Sequence, residues 1–141
     1  MKPGKLKYIV MDYPLPFHRN AMQAHVAANC AGKQGKYWLM HDKLFANQRA
    51  MKPAQLREYA QTIGLDLDTY DQCFDDKTRE AEIKKDIAEG QKIGVRGTPS
   101  FGLAYTGPKD SKVKVMRVIR GAQPYSAFKK AIDEMLASPS K

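Results

Sequence analysis

The hydrophobic period passes from helical to strand-like near residue 94, and that change limits the fold more than any other feature. Before it, apolar residues recur three and four positions apart, as one face of a helix requires. After it, two short runs rich in β-branched and aromatic residues flank a turn cluster. A strand-like run also stands at the start of the chain, so the order reads strand, helical block, hairpin, helix, an α/β class of fold.

In detail, residues 6–11 are apolar without clean alternation and are stopped by Asp12, Pro14 and Pro16, which predicts a strand buried on both faces. Asn20 is placed as an N-cap for a first helix carrying Met22, Val26 and Cys30, closed by Gly32 and Gly35. Tyr37, Trp38, His41, Leu44 and Phe45 trace a stripe that predicts a second helix over 36–47, with Tyr37, Trp38 and Phe45 in the core of the block. Pro53 suits the first turn of a third helix, with Leu56, Tyr59, Ala60 and Ile63 on one face and Gly64 as its stop. Asp68 is expected to cap a short fourth helix bearing Tyr70, Cys73 and Phe74, with Leu67 before it as a hydrophobic staple. A fifth helix over 77–93 turns Ile83 and Ile87 inward. Residues 100–105 and 113–120 form a hairpin around a turn at 106–110. Pro124 then opens a last helix with Tyr125, Phe128, Ile132 and Leu136 on one side.

The 141 residues suit a single domain, and 43% hydrophobic with 28% charged residues supports a packed core. No apolar run is long enough to cross a bilayer, and residues 1–7 lack the apolar region and cleavage site of a secretory signal. A formal charge of +9 would draw phosphates or nucleic acid, but Lys and Arg are scattered, and the stretch 77–92 interleaves its bases with Glu80, Glu82, Asp86 and Glu89. No phosphate loop, zinc-ligand spacing or aromatic-basic RNA motif accompanies the charge. Neither nucleic acid nor membrane is expected as a partner, and no cofactor or metal is expected. Of the three histidines, His41 reads as a hydrogen-bonded packing residue, while His18 and His25 flank the start of the first helix.

Several strings in this order are more specific. They are Met11-Asp12-Tyr13-Pro14-Leu15-Pro16-Phe17-His18, the segment from Asn29-Cys30-Ala31-Gly32 through Gln34-Gly35-Lys36-Tyr37-Trp38, Met40-His41-Asp42, Val95-Arg96-Gly97-Thr98-Pro99 and Gly121-Ala122-Gln123-Pro124. Together the chain resembles DsbA-like thiol-disulfide oxidoreductases, a thioredoxin fold whose sheet is split by a helical insert, here residues 18–93 of a single domain 1–141. The resemblance implies a cis Thr98-Pro99 bond and a substrate-binding role for Thr98 and Pro99, whose backbone would pair with extended protein or peptide substrates. It also implies a periplasmic or secreted setting for the parent family.

The chain departs from that family in lacking the Cys-x-x-Cys motif and the strand before it. Thiolate reactivity in such enzymes depends on a cysteine at a helix N-terminus beside a second one. No catalytic residue is therefore expected here, and the chain reads as an N-terminally truncated, redox-inactive part of an oxidoreductase. The alternative is a non-catalytic thioredoxin-like module that binds peptides or proteins. Cys30 and Cys73 stand 43 positions apart, each in a predicted helix. A buried thiol pair, a structural disulfide and a relocated redox pair are all open to them, and the resemblance ranks the disulfide first. A sheet without its central strand leaves an edge that pairs readily with another copy, so a homodimer or strand-exchanged assembly is expected.

Overall fold

The structure, a computed structural model, describes residue 4 and residues 6–105 and 113–137. Its elements are α1 (Ala21–Lys33), α2 (Tyr37–Ala46), α3 (Pro53–Thr62), α4 (Leu67–Asp75), α5 (Thr78–Lys92), β1 (Ser100–Ala104), β2 (Val115–Arg120) and α6 (Tyr125–Ala137). They fall into two compact units, Met1–Ala88 and Glu89–Lys141.

In the first unit, α1 is the hub and packs against α2, α3 and α4. Small residues make this possible. Ala24, Ala27, Ala28 and Ala31 are buried along α1 beside Val26 and Cys30, so neighbouring helices approach closely. Met40 and Leu44 of α2, Leu56 and Ala60 of α3, Tyr70 of α4 and Ile83 of α5 fill the space around it. Ile87 packs against this core half-buried.

Polar side chains in two turns lock the helices together. Gln34, after α1, donates from Nε2 to the Asp66 carbonyl at 3.1 Å and accepts the Asp66 N–H at 2.9 Å. Lys36, one residue before α2, donates from Nζ to the carbonyls of Ile63 and Gly64 at 3.1 and 2.6 Å. A cation here meets the partial negative charge and unpaired carbonyls at the C-terminus of α3. Gly64 is favoured by its backbone, and a side chain there would also press on the mobile end of Lys36. Its φ is +72°, and a Cβ would stand 3.3 Å from the Lys36 ammonium.

Several segments differ from what the sequence predicts. Residues 6–11 form no strand: they take no regular structure, and Leu6, Tyr8, Ile9 and Met11 are all more than half exposed. A strand is completed by its neighbours, and none lies beside this segment among the described residues. Trp38 and Phe45 are likewise exposed, at 50% and 65%, so they are not core residues. The cap of α4 is Asp66, not Asp68; its carboxylate accepts from the Thr69 N–H at 2.8 Å, which makes Leu67 the first helical residue rather than a staple. The bonds from Thr69 hold the Asp66 carboxyl below its ordinary pKa. Asn20 occupies the N-cap position of α1, but its side chain makes no capping bond. His25 lies inside α1 rather than beside its start.

In the second unit, β1 and β2 pair antiparallel from Ser100 opposite Arg120 to Leu103 opposite Arg117, with an irregularity before Ala104 meets Val115. The turn predicted at 106–110 lies outside the described residues. Phe101 of β1 meets Phe128 of α6 edge-on, with ring centroids 4.8 Å apart. Arg117 pairs with Glu134 at 2.7 Å, and the Tyr105 hydroxyl donates to the Met135 carbonyl at 2.7 Å.

Candidate functional site

Thr98 and Pro99 sit on the short loop leading into β1. Gly94, at φ +83°, ends α5, where Val95 N–H bonds back to the Gly90 carbonyl at 2.9 Å. The chain then turns through Arg96 and Gly97, and the Thr98–Pro99 peptide bond is cis. Two bonds hold the turn: Ser100 Oγ donates to the Gly97 carbonyl at 2.7 Å, and Gly121 N–H donates to the Pro99 carbonyl at 2.8 Å. Between these anchors Thr98 is exposed, and neither its N–H nor its carbonyl has a hydrogen-bond partner among the described residues. Pro99 has no N–H to offer. The result is one free donor and one free acceptor on a fixed piece of backbone at the start of a strand.

The two cysteines lie elsewhere. Cys30 of α1 and Cys73 of α4 form a disulfide with Cα atoms 5.8 Å apart. This decides among the three possibilities open from the sequence. The bridge joins two helices that already pack together. Cys30 is only 1% exposed, which denies its sulfur to an attacking thiolate and argues against a redox pair. Both cysteines of the chain are engaged, so it holds no free thiol.

A polar cluster that no sequence motif marks joins the start of the chain to α1 and α5. Asp12 is buried, and its carboxylate meets His25 Nδ1 at 2.6 Å and accepts from Asn29 Nδ2 at 2.7 Å. Its own N–H donates to Asp86 of α5 at 3.0 Å. The available signal was His25 and Asn29 four positions apart on a helix whose buried residues are small and apolar, which places both on one face. The cluster borders an open cleft of about 410 Å³ lined by Asn29, Tyr37, Arg79, Glu82 and Asp86. Burial, helped by the nearby Asp12 and then Tyr8, raises the Tyr37 hydroxyl to about 12, so it stays protonated at ordinary pH. Arg79 is paired with Asp76 and Glu82, so its charge is already engaged within the protein. Among the described residues no group of side chains could hold a metal ion. No helix there is long and apolar enough to cross a membrane.

A loop that presents free backbone in front of a hairpin and helix, joined to a helical block, defines a thioredoxin-like domain. The chain belongs to the thioredoxin family, whose model matches residues 1–134. Its six helices and two-stranded antiparallel sheet among the described residues make an incomplete thioredoxin-like α/β fold. The chain is also similar to proteins named Na(+)/H(+) antiporters. It is 36% identical over 107 residues to one from Salinispora tropica, covering 73% of this chain and 16% of the antiporter. It is 37% identical over 97 residues to one from Salinispora arenicola, covering 68% and 15%. A third, from Herminiimonas arsenicoxydans, is 30% identical over 96 residues, covering 68% and 15%. The chain spans about a sixth of the length of these relatives.

Proposed function

We propose that this chain is a DsbA-like thioredoxin domain that holds an extended stretch of polypeptide against Thr98 and Pro99 and contributes no reactive dithiol of its own. The observation that carries this reading is the unpaired backbone of Thr98, exposed at the start of β1. An extended peptide laid beside it gains main-chain hydrogen bonds, which give affinity with little dependence on side-chain sequence. Because both cysteines are bridged, the part of disulfide exchange assigned to this chain is positioning the substrate and not attacking it. The disulfide itself supports an oxidising compartment, such as the periplasm or the exterior of the cell.

The test is an NMR titration with an unstructured peptide. The Thr98 amide resonance should move, and methylating the peptide nitrogen that faces Thr98 should weaken binding about tenfold, the worth of one hydrogen bond. Thr98→Ala keeps the backbone and should bind as the native chain does. Binding that ignores the methyl group, or no binding at millimolar peptide, would sink the reading.

A second reading draws support from the antiporter relatives: the domain is a non-catalytic module working as part of a Na(+)/H(+) antiporter. Deleting the matching stretch from the Salinispora tropica protein should change sodium-driven proton flux in inverted vesicles at equal protein level. Equal flux with and without that stretch would rule this reading out.

A further inference from the structure

We propose that residues 6–11 and the outer face of α2 form the interface of a homodimer, in which residues 6–11 of the two copies pair as antiparallel strands. The inference is independent of any peptide held at Thr98. Three observations carry it.

First, the backbone of residues 6–11 has no hydrogen-bond partner among the described residues and adopts no regular structure. The sequence Leu-Lys-Tyr-Ile-Val-Met nonetheless has strong strand character and a single charge, on Lys7. Such a segment lies ready for a pairing partner.

Second, an exposed aromatic row ties the segment to α2. The Tyr8 ring stacks on Trp38 of α2 at 6.0 Å. Trp38 meets His41 at 5.2 Å, and His41 meets Phe45 at 4.5 Å. Leu6, Tyr8, Ile9 and Met11 are 53–64% exposed, and Trp38, Leu39 and Phe45 are 50–65% exposed. At roughly 100 Å² for each of these half-exposed side chains, the segment and α2 together expose about 700–800 Å² of apolar side chain, close to one partner's share of a standard interface.

Third, the required occupant is one that matches the surface about a two-fold axis. An antiparallel strand pair is self-complementary: residues 6–11 of one copy present the donors and acceptors that the same residues of the other copy need. A second copy also brings an identical aromatic row to cover the first. The charge of +9 on each copy does not prevent this, since charges away from the interface are screened beyond about 8 Å at physiological salt.

Sedimentation velocity on the whole chain decides the matter. At about 100 µM and physiological salt the sedimenting species should have twice the 15.9 kDa chain mass. Ile9→Lys and Trp38→Glu should each weaken association at least about tenfold. Met116→Lys, at an exposed apolar residue of β2, should leave it unchanged. Ile9→Pro removes a backbone donor outside every helix, so the helical circular dichroism should persist while the dimer is lost. A monomer at about 100 µM overturns the proposal, including one that associates only with some other protein. So does a dimer that tolerates Ile9→Pro, or one that Met116→Lys dissociates.

Discussion

Replacing Cys30 and Cys73 together with alanine should lower the stability of the helical unit by at least about 4 kcal/mol and its melting temperature by at least roughly 15–30 °C. The bridge closes a loop of 43 positions, and cross-linking that span removes unfolded-state entropy worth about 4 kcal/mol in the loop-closure model. The effect is large because small domains have only ~5–15 kcal/mol in total. Reduction of the native protein isolates the cross-link from packing, since it leaves both sulfurs in place. Denaturant melts of the oxidised, reduced and doubly substituted forms should therefore rank in that order, with alanine lowest because Cys30 is buried and its truncation leaves a void. A fall below about 5 °C on reduction would mean that the unfolded chain is already constrained, or that the bridge strains the native fold.

The helices were legible because their signals are local. Pro53 and Gly64 bracket α3 as first turn and stop, and a left-handed φ at Gly64 is the geometry that such a stop requires. The face of α2 was not legible, and the reason is geometric. Tyr37, Met40 and Leu44 follow the spacing of three and four, and so do Trp38, His41 and Phe45, one residue around the helix. Both stripes satisfy helical periodicity. Only packing against α1 decides that Met40 and Leu44 go inside and that the Trp38 row faces out. Residues 6–11 failed for a different reason: strand propensity describes what a segment does when a neighbour is present, and the sequence of one segment does not contain its neighbour.

The candidate site was legible to a similar depth. Thr98 and Pro99 were found through the family pattern, since nothing in the local composition separates a binding turn from an ordinary one. The Cys30–Cys73 pairing followed the same route, because two cysteines in two helices fix no distance. Asp12 was read only as the residue that ends a run. Its partners are 13 and 17 positions away on α1 and 74 positions away on α5, and no local rule spans such separations.

That cluster supplies the second large effect. Asp12→Ala should destabilise the helical unit by about 1–3 kcal/mol, measured by urea unfolding, because it leaves two part-buried donors beside the open cleft without their acceptor. Each buried unpaired group costs ~1–3 kcal/mol, and His25, whose side chain is 31% exposed, recovers part of its share from water. Asp12→Asn keeps the shape and one acceptor oxygen, so its loss should be about half as large. The identity of the partner can be checked by a double-mutant cycle: with Asn29→Ala already in place, Asp12→Ala should cost less than it does alone, by ~1 kcal/mol. Additivity within about 0.3 kcal/mol would mean the Asn29 contact contributes nothing, and the value of Asp12 would then lie in its backbone bond to Asp86. Asp86→Ala separates these cases, since it releases that backbone tether and leaves the contacts of the Asp12 carboxylate with α1 intact.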